Sequence, residues 1–456
     1  MKQQSTVAAI STPLGVGGIG IIRISGPDAL TVAARVFRPV GARRLEDAPG
    51  YTALLGRVFD AAGEIDDAIA TVFRAPRSYT GEDVAELSCH GGLYLLRRTL
   101  RAVLAAGAQP AGPGEFTKRA FLNGKLGLTQ AEAVMDLIAA QGDQAARSAL
   151  SARDGALFAR IRAVNGGLLE LAAHLSAWVD YPDDEIPEIT GEEIGAALRR
   201  ARDGLAGLLS TYDLGRVIRE GVETAIVGRP NVGKSTLMNL LAGYQRSIVT
   251  DIPGTTRDVV EDTVNLDGAI LRLADTAGLR DTDDEVESVG VALARRRLET
   301  AGLVLAVFDS SDPLTGEDRA LIESLRGRPA VAVINKTDLP RRIDLAWVSE
   351  RIPHTVQVSA KAGQGMRELS AAVNEVLGLH RLDGGAALLA NERQRLCAQR
   401  AAAAVDEAIS TLDDSFTFDA VGVCIDEAIA ALLELTGERA SEAVVNEVFA
   451  RFCVGK

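Results

Sequence analysis

The sequence is poor in cysteine, in long apolar runs and in positive charge, and each shortage narrows what it can be. Its four cysteines, Cys89, Cys397, Cys424 and Cys453, lie far apart over 456 residues and show no metal-ligand spacing. A reduced, cytoplasmic setting is expected. Hydrophobic residues make up 47% of the chain, yet none of its apolar runs reaches the ~18 residues of a membrane span. The start, MKQQSTVAAIST, has one lysine and a short apolar run before strand-like sequence, so no signal peptide is expected. The formal net charge is −13, which disfavours broad affinity for nucleic acid. A local basic surface remains open at Arg97, Arg98, Arg101, Lys118 and Arg119, although a solvated helix face is the plainer reading. No internal repeat or low-complexity segment stands out, and the length suggests about three domains at ~150 residues each.

Four short motifs are present in the second half: GRPNVGKST from Gly228, DTAG from Asp275, NKTD from Asn335 and SAK from Ser359. ETAIV before the first reads as a strand and TLMNLLA after it as a helix, the context of a phosphate loop. Gly228 and Gly233 let the backbone turn so that its amides and the helix N-terminus face a polyphosphate. Lys234 adds a point charge against the terminal phosphates, and Ser235 is placed to ligate Mg²⁺. Asp275 ends the apolar run AILRLAD and can hold the metal through water. NKTD follows AVAVIN, at a strand's C-terminal end, where open α/β sheets bind ligands. The Asp338 carboxylate matches the two adjacent donors of guanine. Adenine lacks that pair, a mismatch worth on the order of 10⁴ in selectivity.

The expected organisation is multi-domain, α/β with all-α parts. Residues 1–120 alternate strand-like runs (TVAAIS, GIGIIRIS, AIATVFRA, DVAELSCH) with helical stretches, as in a compact α/β domain. Gly15, Gly17 and Gly20 satisfy GxGxxG, but strand-like sequence follows where a dinucleotide site needs a helix, so a tight turn is expected. Helical sequence fills 121–215. Leu150, Leu157, Val164, Leu171 and Trp178 recur every seven residues, with Ile161, Leu168 and Leu175 between them, predicting one long helix that ends at Pro182. Nucleotide-binding sequence fills 216–380. Residues 381–456 are helical again, with Ser441 as an N-cap. The two helical flanks pack together in the simplest arrangement, with the nucleotide domain inserted between them.

Leu279 stands where many GTPases carry a glutamine that orients the attacking water, so hydrolysis needs help. The acidic run Asp281, Asp283, Asp284, Glu285 and Glu287 can supply a carboxylate. An arginine from a partner, or a cation such as K⁺, can offset transition-state charge. DIPGTTRD at 251–258 is the candidate first switch, with Thr256 the second Mg²⁺ ligand. Ser88, Cys89 and His90 suggest a nucleophile–base pair, but successive strand residues point to opposite faces. Cys453, in the terminal FCVGK, has Lys456 nearby to lower its pKa, or is simply a buried apolar cysteine.

GGIGIIRISG at 17–26, SYTGEDVAEL at 78–87, GPGEFTKRAFLNGKLGLTQAEAVMDLI at 112–138, the nucleotide motifs and the terminal RFCVGK together resemble the tRNA uridine-modifying GTPases of the MnmE (TrmE) family. The likeness covers essentially the whole chain. It implies an N-terminal folate-binding and dimerising domain, a discontinuous helical domain and an inserted Ras-like G domain. It also implies a homodimer that joins the flavoprotein MnmG in a heterotetramer. Together they build an aminomethyl-type (carboxymethylaminomethyl) group on C5 of the wobble uridine of certain tRNAs, with a 5-formyl- or methylene-tetrahydrofolate as carbon donor.

Residue by residue, the resemblance implies that Arg23, Glu86 and Lys125 contact the folate, with Lys456 nearby. Arg23 and Lys125 suit its glutamate tail, and Glu86 the pterin donors. Asn231, Thr255 and the carbonyls of Thr250 and Ile252 would coordinate K⁺. Glu287 would be the catalytic carboxylate and Cys453 a reactive thiol. The GTP set is Asn231, Val232, Gly233, Lys234, Ser235 and Thr236; then Thr250, Asp251, Ile252, Pro253, Gly254, Thr255 and Thr256; then Asp275, Thr276, Ala277 and Gly278. It closes with Asn335, Lys336, Thr337 and Asp338, and with Ser359, Ala360 and Lys361. The chain departs from the family pattern at Val16, usually basic, at Gly127, usually acidic, and at Cys89, not a family cysteine. Two other readings stay open: an Era- or Der-like ribosome-assembly GTPase, and a nonenzymatic scaffold that uses GTP as a switch.

Overall fold

The computed structural model describes residues 5–180, 189–244, 262–273, 301–379, 385–414 and 417–456. The chain divides into two compact units, 1–135 with 429–456, and 136–428.

The first unit runs β1 (Val7–Ile10), β2 (Ile19–Ser25), α1 (Ala29–Val36), β3 (Phe37–Pro39), β4 (Thr52–Asp60), β5 (Gly63–Phe73), β6 (Val84–His90), α2 (Leu93–Ala105), β7 (Gln109–Pro110), α3 (Glu115–Leu122) and α4 (Leu128–Ala139), the last crossing into the second unit. The strands form one sheet in the order β3-β4-β5-β6-β2-β1-β7, antiparallel except for β1 and β7. Alternation explains β2: Gly20, Ile22 and Ile24 are buried, while Ile21 and Arg23 turn to the other face. Ile22, Ile24, Val58, Leu87, Leu96 and Val103 belong to one core under α1 and α2. The glycine run at 15–18 is a loop leading straight into β2, as its strand-like continuation predicts. The short strands β3 and β7 and the long β4 lay outside the sequence expectation.

The second unit continues with α5 (Asp143–Arg153), α6 (Ala156–Asp180), α7 (Gly191–Leu209), α8 (Tyr212–Glu220), β8 (Val222–Val227), α9 (Lys234–Tyr244), β9 (Asp262–Leu266), β10 (Ala269–Leu273), β11 (Leu303–Asp309), α10 (Gly316–Ser324), β12 (Ala330–Asn335), α11 (Leu345–Arg351), β13 (Thr355–Gln357), α12 (Met366–Val376), α13 (Glu392–Asp413) and α14 (Phe418–Thr436). Its sheet order is β13-β12-β11-β8-β10-β9, parallel except at β9. β11 and β12 are buried along their whole lengths, as their unbroken apolar runs require of strands covered on both faces.

The heptad stripe is divided differently from the expectation. Leu150 belongs to α5, and the long helix α6 begins only at Ala156, because Gly155 takes a left-handed φ of 98° that ends the first helix. From Leu157 the stripe holds: Leu157, Ile161, Leu168, Leu171 and Leu175 are buried, and Trp178 meets Phe418 edge-on at 5.4 Å. Pro182 lies outside the described residues. α7 opens on a capping box between Thr190 and Glu193. α7 packs against both α6 and α13, so helices from either side of the β8–β13 sheet in sequence share one layer.

The chain closes in the first unit with α15 (Glu442–Ala450), capped by Ser441, whose hydroxyl accepts from Val444 N at 3.3 Å. Phe449 and Phe452 pack on Leu128 and Ala131. The last residues are laced to α3: Gly114 N donates to the Cys453 carbonyl (3.2 Å) and Phe116 N to the Lys456 carbonyl (3.0 Å).

Candidate functional site

The phosphate-loop segment spans 228–233 between β8 and α9. Gly228 and Gly233 have φ of 147° and 97°. A Cβ there would lie 2.3 Å from the Val307 carbonyl and 2.2 Å from the Asn335 amide. Neither place admits a side chain, and the loop presents bare backbone at the N-terminus of an eleven-residue helix. Lys234 arches across it, its ammonium donating to the Gly228 and Arg229 carbonyls at 2.8 Å each. Burial pushes the Lys234 pKa below its ordinary value. Ser235 and Thr236 stand exposed on the first turn, and Val232 is buried beneath the loop. Closely placed backbone, an ammonium and exposed hydroxyls suit a polyphosphate with a hard divalent cation.

Asn335 joins this loop to the other strand ends. It is 2% exposed. Its amide nitrogen donates to the Val232 carbonyl at 2.9 Å and its oxygen accepts from Ala360 N at 3.0 Å. One buried side chain thereby ties together three motifs that are distant in sequence. Lys336, at φ 62°, pairs with Asp309 at 2.6 Å. Burial opposes ionisation of Asp309, but hydrogen bonds from Lys336 and Ser311 outweigh it and lower its pKa. Thr337 N donates to the Val358 carbonyl at 3.3 Å. Asp338 is exposed and accepts from the buried Ser359 hydroxyl at 2.6 Å, which holds its carboxyl below the usual range. Lys361, two residues after Ser359, is exposed.

Asn231, Val232, Gly233, Lys234, Asn335, Ala360, Asp338 and Ser359 thus converge at one edge of the sheet. Asp309 is the residue that sequence reasoning missed. Its signal was legible: the apolar run LVLAVFD ends in a carboxylate, as AILRLAD does. Arg229 is likewise anchored, to the buried Asp318 at 2.8 Å. Thr250, Asp251, Ile252, Pro253, Gly254, Thr255, Thr256, Asp275, Thr276, Ala277, Gly278, Leu279 and Glu287 lie outside the described residues.

A second polar cluster lies in the first unit. Arg23 and Glu86 are cross-strand partners on the sheet face away from α1 and α2, and pair at 2.8 Å, each 19% exposed. The Arg23 guanidinium also donates to the Gly455 carbonyl (3.4 Å) and lies over the Phe116 and Tyr79 rings at 5.4 and 5.9 Å. Burial and the neighbouring Arg23 push Lys456 below its ordinary pKa, against a smaller opposing pull from Glu86. Arg23, Glu86 and Lys456 are therefore brought together. Lys125 instead turns to the Pro76 carbonyl at 3.1 Å. Tyr79, its hydroxyl 2.9 Å from that of Thr117, was not anticipated from sequence. Cys453 is exposed. Val16 is exposed, and Gly127 immediately precedes α4, its amide donating to the Gln130 side chain at 2.9 Å.

Other candidates resolve plainly. Cys89 is buried and His90 exposed, on opposite faces of β6 as their succession predicts. Burial pushes the Cys89 thiol up to about 11, which is no nucleophile. Arg119, a candidate for a basic surface, is instead 1% exposed and fully engaged with Glu82, Glu115 and the Ser5 carbonyl. Arg98 is committed to Asp60 through two hydrogen bonds, at 2.7 and 2.9 Å.

A mostly parallel sheet with a glycine loop between strand and helix defines the phosphate-loop class of α/β nucleotide-binding proteins. The MnmE helical-domain model matches residues 128–453 and the model of the GTP-binding protein TrmE N-terminus matches 6–125. The chain belongs to the MnmE family. It is 42% identical to the tRNA modification GTPase MnmE of Geobacillus kaustophilus, covering 100% of both chains. The proteins of the same name from Heliobacterium modesticaldum and Symbiobacterium thermophilum are 44% and 45% identical, with at least 99% of each chain covered. These full-length matches decide against a ribosome-assembly GTPase. The solved G domain of the T. maritima FeoB iron transporter is 28% identical, spanning 34% of this chain and 98% of that one with a TM-score of 0.26.

Proposed function

We propose that this protein is a GTP-hydrolysing tRNA modification enzyme acting on C5 of the wobble uridine, in the cytoplasm, as a homodimer working with the flavoprotein MnmG. Full-length identity to curated tRNA modification GTPases carries this reading. Residues 216–380 act as the inserted G domain, flanked by helical parts at 121–215 and 381–456 and preceded by a folate-binding domain at 1–120.

Within the G domain, the loop amides and Lys234 hold the β- and γ-phosphates, and Ser235 with Thr256 holds Mg²⁺. The bound ion supplies charge neutralisation on the phosphates. The outer oxygen of Asp338 accepts from guanine while Ser359 fixes the other. Asn335 holds the phosphate loop against the base-reading segment. Glu287 supplies the carboxylate that Leu279 cannot, and Asn231, Thr250, Ile252 and Thr255 hold K⁺.

In the N-terminal domain, Arg23, Glu86 and Lys456 take the one-carbon tetrahydrofolate. Because Arg23 and Glu86 are paired, we assign them to one end of that ligand and Lys125 to the other. Cys453 is the exposed thiol beside them in the tail. Two measurements test the reading. Wobble nucleosides of tRNA from cells lacking the protein should lose the modification by mass spectrometry. Calorimetry should detect 5-formyl-tetrahydrofolate binding that Glu86→Ala abolishes. A wobble modification that persists unchanged in the deletion strain, or folate binding indifferent to Glu86, would overturn the respective half.

A further inference from the structure

Helices α1 and α2 cover one face of the first unit's sheet, and neither contains an acidic residue. Burial of Leu96, Thr99, Ala102 and Val103 fixes the rotation of α2. Tyr94, Arg97 and Arg101, spaced by three and four, consequently form one outward stripe, and all three are exposed. Arg97 and Arg101 make no ion pair or hydrogen bond among the described residues. Arg35 of α1, also exposed, donates to the Ala106 carbonyl at 2.6 Å and so sets a third guanidinium at the C-terminal end of α2. A rise of ~1.5 Å per residue separates Arg97 from Arg101 by about 6 Å along the axis, with Tyr94 ~4.5 Å beyond.

The charge is unevenly shared. The first unit carries 18 Lys and Arg against 16 Asp and Glu, and the remainder 31 against 46. The formal −13 is therefore +2 on one unit and −15 on the other. Repulsion of nucleic acid, argued from net charge, applies to the second unit and not to the first.

We infer that the outward face of α1 and α2 is an RNA-docking surface. Arg35, Arg97 and Arg101 engage backbone phosphates, and Tyr94 stacks on an unpaired base. Arginines alone would suit any polyanion. An exposed tyrosine in line with them favours RNA with splayed bases, which a smooth duplex does not offer. An acidic protein segment would find the same charges but has no base to stack on Tyr94. This inference rests on the reading that the protein handles tRNA, and adds where the RNA sits.

Fluorescence anisotropy with the full-length protein tests it, using labelled bulk tRNA and a blunt RNA duplex between about 50 and 200 mM KCl. R97E/R101E should weaken tRNA binding roughly tenfold or more and flatten the log–log salt slope by about 2. Tyr94→Ala should weaken tRNA binding and leave duplex binding unchanged. R326E/R367E, the same charge change on exposed residues of the second unit, should bind as the native protein does, and GTP hydrolysis should be unaffected in every variant. Equal weakening by both double variants would reduce the effect to net charge and overturn the inference. Native-like binding by R97E/R101E would overturn it while leaving the tRNA reading intact. If that variant keeps its RNA affinity but loses wobble modification in cells, the surface serves a protein partner instead. A native protein that binds no tRNA would refute both.

Discussion

Replacing Asn335 by alanine should disable the nucleotide site through the two loops that this side chain joins. The exchange removes a 2%-exposed amide and orphans two backbone groups, the Val232 carbonyl and the Ala360 N–H. An unsatisfied buried group costs ~1–3 kcal/mol, so the two together cost about 2–6 kcal/mol. Water entering the small gap recovers part, and ~3 kcal/mol is a fair central value. That loss corresponds to on the order of 10²-fold in an equilibrium constant. It should divide between weaker binding of a fluorescent GDP analogue and an earlier urea transition reported by Trp347 emission. Asn335→Asp sharpens the test. It keeps an acceptor for Ala360 N but sets a buried carboxylate against the Val232 carbonyl, so at neutral pH it should be worse than alanine. Burial and that carbonyl raise the new carboxyl's pKa. Its protonated form regains a donor, so the defect should ease as pH falls through the raised value. The reasoning fails if Asn335→Ala binds nucleotide within ~3-fold of the native protein with an unchanged transition, or if aspartate is the milder change.

Three further outcomes are expected. Asp338→Asn should trade GTP for XTP in competition binding, because an amide can donate to the oxygen that xanthine carries where guanine has its amine; an unchanged GTP preference would refute the assignment. GTP turnover should be much faster in K⁺ than in Na⁺ at matched ionic strength, and Glu287→Ala should keep GTP affinity while losing kcat; equal rates in the two salts, or a full-rate variant, would remove the respective role. With a thiol reagent at pH 8, Cys453 should react in the native protein. Cys89, buried with its pKa near 11, should stay in its unreactive thiol form until unfolding. Early labelling at Cys89 would contradict its burial.

Much of the nucleotide site was legible because it is local. A glycine loop between strand and helix, and apolar runs ending in Asn335, depend on neighbours within a few residues, and periodicity alone places them at strand ends. The same reasoning separated Cys89 from His90 and rejected the GxGxxG run. What sequence could not supply was pairing over distance. Asn335 meets Val232 across 103 residues and Arg23 meets Gly455 across 432. Nothing in either local pattern names its partner. Charge was misleading for the same reason: Arg98 and Arg119 read like Arg97 and Arg101, yet Asp60, Glu82 and Glu115 consume the first two and leave the others free. A heptad shows which residues seek cover, but one left-handed glycine at 155 decided where the helix begins. Sequence by itself therefore determined which chemistry the chain carries and which faces are apolar. Tertiary packing decided which polar groups are neutralised and which stay available, because a side chain's partner is set by what the fold brings within hydrogen-bonding reach.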